Sequence, residues 1–87
     1  TIQRIKIKIH QRNYYFSSHA EDEMKDDNLS QEDVEDVIMN GHIEKKLTKD
    51  IRGTRYHIIG ITKNHQAVNV ICRFDEDDNL IIITVYI

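Results

Sequence analysis

The sequence has 87 residues, enough for one domain with one modest core. It is 39% hydrophobic and carries a net charge of −3, with no apolar run long enough to span a membrane. No charged-then-apolar leader opens it, proline is absent, and the lone Cys72 has no disulfide partner; these features predict a single soluble domain, 1–87, in the reducing cytoplasm.

Charge is unevenly spread. From Glu21 to Asp36 there are nine acids and one base, Lys25. Residues 1–16 carry Arg4, Lys6, Lys8 and Arg12 with no acid, and residues 41–63 carry six bases against Glu44 and Asp50. This predicts an acidic helical side and a basic strand-and-loop side, suited to an anionic ligand and a basic partner, or simply to solvation.

In residues 2–11, Ile5, Ile7 and Ile9 alternate with lysines as in a strand, while Ile2, Ile5 and Ile9 also share a helical face. The alternation leans to strand. A short extended piece, Tyr14-Tyr15-Phe16, follows. Ser18-x-x-Glu21 reads as a capping box opening a helix over about 19–27, with Ala20 and Met24 inward and a stop near Asn28. Ser30 caps a second helix, with Leu29 and Val34 as its hydrophobic staple and Val34, Val37 and Ile38 as its apolar stripe. Asn40-Gly41 reads as its C-terminal stop, with Gly41 supplying a left-handed residue.

Beyond Gly41 the period changes from 3.6 to 2, and strands are predicted near 42–47, 54–62, 67–74 and 79–86. Short links at 63–66 and 75–79 require antiparallel pairing. The residues alone therefore give an α+β fold, two helices on a four-stranded antiparallel sheet. The last strand, Leu80 to Ile87, is apolar on both faces, which places it centrally and predicts a cover on the second face, from the N-terminal segment or another subunit.

Several of these residues form an ordered series: Ser17, His19, Ala20 and Met24; Leu29-Ser30-x-Glu32-Asp33-Val34 through Gly41; Asp50-Ile-Arg-Gly-x-Arg-Tyr; Ile59-Gly60; and Ile83-Thr-Val-Tyr86. From about residue 2 to 86 this resembles a bacterial family of small uncharacterised domains grouped with the RelE/ParE-like toxins of toxin–antitoxin systems. The resemblance implies a microbial-ribonuclease-like fold with N-terminal helices on a curved sheet, and turns residues 2–11 towards helix. It implies a metal-independent endoribonuclease of the mRNA interferase type, with RNA or the ribosome as target and an antitoxin as partner. Where such domains often carry a histidine on the third long strand, this chain has Asn69, and where proline often follows the Arg-Gly pair it has Thr54.

RNA cleavage without metal needs a base for the 2′-hydroxyl, cations for the phosphate and an acid for the leaving oxygen. His19, at the start of the first capped helix, is the acid–base candidate; its other reading is a structural ring at the helix start. Arg55 and Tyr86 complete the candidate catalytic set, with Tyr86 a proton donor, a stacking surface, or a core tyrosine. Arg52, Arg73 and Thr84 are candidate substrate-binding residues; Arg52 and Arg55 read as a phosphate clamp or as a surface ion pair with Asp50, and Arg73 as a phosphate ligand if turned inward or solvated surface if turned outward. His10, His19, His42, His57 and His65 lack metal-ligand spacing, so no metal and no cofactor is expected. The alternative from another class is a non-catalytic module on the same fold that binds an antitoxin-like or other protein.

Overall fold

A computed structural model describes residues 1–49 and 51–87. Three helices and five strands follow in the order α1 (Ile2–His10), β1 (Tyr14–Phe16), α2 (Ser18–Asp26), α3 (Gln31–Asn40), β2 (His42–Leu47), β3 (Arg55–Ile61), β4 (Ala67–Phe74) and β5 (Leu80–Tyr86). The α+β class and the four long strands stand as the sequence pattern placed them.

The sheet itself differs from expectation. It has five strands in the order β1-β5-β4-β3-β2, and β1 runs parallel to β5, with Tyr14, Tyr15 and Phe16 opposite Leu80, Ile81 and Ile82. The expected four-stranded antiparallel sheet is thus a five-stranded mixed one. Three residues are too few to show a period, so the sequence marked β1 only as extended. Its partner β5 is interior there, which accounts for its apolar character.

Residues 2–11 also resolve against raw alternation. Ile5 and Ile9 of α1 are buried in the common core, while Ile7 is exposed. The helix ends in a Schellman pattern, Asn13 N–H to Lys8 O at 2.9 Å and Arg12 N–H to Ile9 O at 3.1 Å, with Arg12 at φ 60°. Arg4 and Lys8 then pin the β4–β5 turn through Asp78, and the Arg4 guanidinium lies 3.7 Å above the Phe74 ring. These cationic contacts, four residues apart on one helical side, account for Arg4 and Lys8.

The α2 cap is one residue earlier than expected. Ser17, not Ser18, accepts the Ala20 N–H at 3.0 Å, and its hydroxyl donates to Ile83 O at 2.8 Å. Ser17 N–H also donates to Ile82 O, so the strand ladder ends and the helix begins on the same residue. The cap of α3 is as expected: Ser30 and Asp33 form a reciprocal capping box, and Leu29 and Val34 are both buried. Acids in the first turn of α3 suit the helix dipole.

Gly41 is not left-handed; its backbone is extended, with φ −84° and ψ 178°. Glycine is required there by proximity, since a Cβ would stand 2.5 Å from Val37 O and 2.6 Å from Ile59 O. Gly60 meets the same carbonyl from β3, where a Cβ would fall inside contact with Val37 O and 2.8 Å from Val37 C. Two glycines therefore let the last turn of α3 rest directly on β3. Asn40 adds a side-chain bridge, accepting from Ile61 N–H at 3.0 Å and donating to Ile61 O at 2.8 Å.

All three helices bury their apolar sides in one core with Tyr56, Ile58, Val68, Val70, Cys72, Leu80, Ile82 and Val85. The alternate positions of β3, β4 and β5 face the other way. That second face carries no helix among the described residues, so the cover expected for it is not provided by α1.

Gly60→Ala drives a methyl into the α3 backbone and is expected to cost about 2 kcal/mol or more, roughly 10 °C in melting temperature. Thermal unfolding followed by circular dichroism measures it; an unchanged melting temperature contradicts the close-approach account.

Candidate functional site on the open sheet face

The register assembles the open face. One row runs Lys45, His57, Ile71 and Thr84 across β2, β3, β4 and β5. The next runs His42, Ile59, Asn69 and Tyr86. At the opposite end Arg73 lies opposite Ile81, which lies opposite Tyr15, and Leu47 lies opposite Arg55. Tyr56 and Cys72 are paired, so Arg55 and Arg73 flank that pair on this same face. Bulges at Glu44 and Ile83 shift the alternation so that Lys45 and Thr84 both turn outward.

Four of the six candidates from sequence, Arg55, Arg73, Thr84 and Tyr86, thus converge on one face, although they come from three strands. Arg52 lies at its end: with Arg73, Tyr15, Ile81 and the acidic turn it lines a hollow of about 610 Å³. A second hollow of about 480 Å³ is lined by Lys45, Lys46, Lys49 and Arg55. The considered ion pair of these arginines with Asp50 lies outside the described residues.

His19 is placed elsewhere. It sits on the first turn of α2, two-thirds exposed, with Nε2 3.3 Å from Glu23 Oε1. Glu23 Oε1 also accepts the Val85 N–H at 3.0 Å, so the imidazole and the β5 backbone share one carboxylate. This links His19 to the residue between Thr84 and Tyr86, at the sheet edge rather than on the open face.

Of the two histidines in these rows, His42 has its Nε2 3.1 Å from Glu44 Oε2, and the other, His57, is one that the sequence pattern passed over as a site residue. Its Nε2 is 2.8 Å from Asn69 Oδ1 and 3.5 Å from Tyr86 Oη, and its ring stacks on Tyr86 with centroids 6.1 Å apart at 27°. Asn69 Nδ2 donates to the Tyr86 carbonyl at 3.4 Å. His57 and Asn69 lie on neighbouring strands twelve residues apart, so only the β3–β4 register reveals the pair. The signal available in sequence was alternation: His57 shares its face with Arg55 on β3.

Other groups are structural. Tyr14 donates to Glu35 at 2.5 Å and accepts from Gln31 at 2.8 Å, and burial, with the bond to Glu35, pushes its hydroxyl up to about 12. Asp75 accepts from the Asn79 and Asp77 amides and from Tyr15, and these bonds hold its carboxyl below the usual range. Cys72 is fully buried, and burial pushes its thiol up to about 12. Among the described residues no group of three His, Cys, Asp or Glu is placed to hold a metal ion, and no helix is long and apolar enough to cross a membrane.

Fold and site together define a small α+β protein with helices on one sheet face and a basic, histidine-bearing second face. The chain belongs to a domain family of unknown function, DUF4258, which matches residues 16–87, from the end of β1 onward. Comparison with curated proteins and with solved structures gave no significant match.

Because only a thiolate reacts, Cys72 is expected to resist a thiol reagent in the native protein at pH 8 and to react fully once unfolded. Prompt native labelling would contradict its burial.

Proposed function

We propose that the chain is a toxin-like protein of a toxin–antitoxin system, acting on RNA as a metal-independent endoribonuclease in the cytoplasm. The observation that carries this reading is the convergence of Arg55, Arg73, Thr84 and Tyr86 on one uncovered sheet face. The resemblance of the ordered motifs to small domains grouped with RelE/ParE-like toxins supports it, since that resemblance implies RNA as substrate.

The face has the parts a single strand of RNA requires. Lys45, Arg55 and Arg73 supply cations, and a guanidinium fork suits a phosphate. Tyr86 and Tyr15, both partly exposed, offer rings on which bases stack. The acids of α2 and α3 belong to the opposite layer, so the net charge of −3 does not describe the surface RNA meets.

A second reading, a non-catalytic module binding an antitoxin-like or other protein, draws support from β2. It is the last strand of the sheet and mostly exposed, leaving an edge that a partner strand can join.

Purified protein is expected to cleave a labelled messenger RNA in EDTA, alone or on ribosomes. Arg55→Ala and Arg73→Ala should each weaken RNA retention about tenfold, with a smaller salt dependence. Neither retention nor cleavage by folded protein, with or without ribosomes, rejects the RNA reading and leaves the protein-binding one.

A further inference from the structure

We infer that His57 is the acid–base group of the open face and that Asn69 holds it in the basic tautomer, the substrate being single-stranded RNA with a free 2′-hydroxyl. This rests on the RNA reading above and deepens it by assigning the proton transfer to a residue that the sequence motifs leave out.

Asn69 sets the orientation of the ring. A backbone carbonyl only accepts, so the Tyr86 carbonyl fixes the amide nitrogen of Asn69 on its side. Oδ1 must then face His57, and an amide oxygen also only accepts. Nε2 therefore carries the proton, and the neutral ring keeps its lone pair on Nδ1. Among the described residues no hydrogen bond reaches Nδ1. The orientation is fixed from one side by Asn69 and from the other by stacking on Tyr86. A neighbour that sets the tautomer in this way is what a general base needs.

The surroundings agree. The charged and titratable groups in the rows about the ring are His42 and Lys45 on β2, Arg55 on β3, Arg73 on β4 and Tyr86 on β5, and the His42 ring is held by Glu44 at 3.1 Å. Lys45 stands in the ring's own row and Arg55 and Arg73 in the row on one side of it, with Tyr86 in the row on the other, so a strand of RNA laid across these rows carries a phosphodiester past His57 between the cations and Tyr86. His19 has no comparable setting, since its ring is turned to Glu23 at the sheet edge.

The step balances as a transphosphorylation. The 2′-oxygen gives its proton to Nδ1 as it bonds to phosphorus, and the bond from phosphorus to the 5′-oxygen breaks. The leaving oxygen takes the Tyr86 hydroxyl proton, giving a 2′,3′-cyclic phosphate and a 5′-hydroxyl. Nε2–H of the imidazolium re-protonates the phenolate across 3.5 Å, and exchange with solvent restores the Nε2–H tautomer.

The test compares wild type, His57→Gln, Asn69→Asp and His19→Gln on a labelled single-stranded RNA in EDTA, with ribosomes present and absent. His57→Gln should lower the cleavage rate about 100-fold or more while keeping RNA retention. Asn69→Asp sets a carboxylate against Nε2–H and favours the imidazolium, so the rising limb of the pH–rate profile should move to higher pH. A merely structural Asn69 would leave that limb in place. Wild-type cleavage that survives His57→Gln, above all if His19→Gln abolishes it, overturns the assignment and keeps the RNA reading. Absence of both cleavage and retention in wild type overturns the two together.

Discussion

The contact between the last turn of α3 and the middle of β3 sets the rest of the structure. Two glycines, Gly41 and Gly60, meet the Val37 carbonyl from two sides and bring helix and strand backbones together without side chains between them. Seated this close, α3 closes the core over Ile58, Val68 and Val70, and α1 and α2 fill in beside it over β5. The core of this small domain is satisfied from one side alone. The second face of the sheet, which no helix covers among the described residues, sets bases, histidines and tyrosines among aliphatic residues such as Ile59, Ile71 and Ile81.

That asymmetry organises the charge. Acids gather on α2 and α3, where they cap helix starts and meet water, while the outward positions of β2 to β4 supply Lys45, Arg55 and Arg73. The acidic turn at 75–78 is engaged locally: Asp75 closes the turn on its own backbone, and Asp78 holds Arg4 and Lys8. Those contacts keep the bases of α1 on the helical side. Lys45, Arg55 and Arg73 remain on the open face, around a histidine hydrogen-bonded to Asn69.

Much of the fold was legible in the sequence because it follows from periods. Val34, Val37 and Ile38 marked α3, and strict alternation marked β3 and β4 within a residue of their bounds. What the sequence hid depended on partners distant in the chain. β1 acquires its identity only by lying against β5, and α1 is a helix because Ile5 and Ile9 find the core while Arg4 and Lys8 find Asp78. Ser17 wins the α2 cap over Ser18 because it is already tied to β5. The glycines were read as punctuation, yet Gly41 serves close packing. The same reason separates the candidate residues. Arg55, Arg73, Thr84 and Tyr86 sit where alternation put them, whereas the His57–Asn69 pair exists only through strand register, and His19 carried a motif position without a place on the face.

The proposed activity requires the open face to be the surface that meets RNA. The most direct measurement is a titration of isotope-labelled protein with a short single-stranded oligoribonucleotide, followed residue by residue in nuclear magnetic resonance spectra. The account predicts shifts that grow with RNA at Lys45, Arg55, His57, Asn69, Arg73 and Tyr86, with α2 and α3 left unmoved. Shifts confined to the helices, or none at RNA concentrations well above those of the protein, would contradict it.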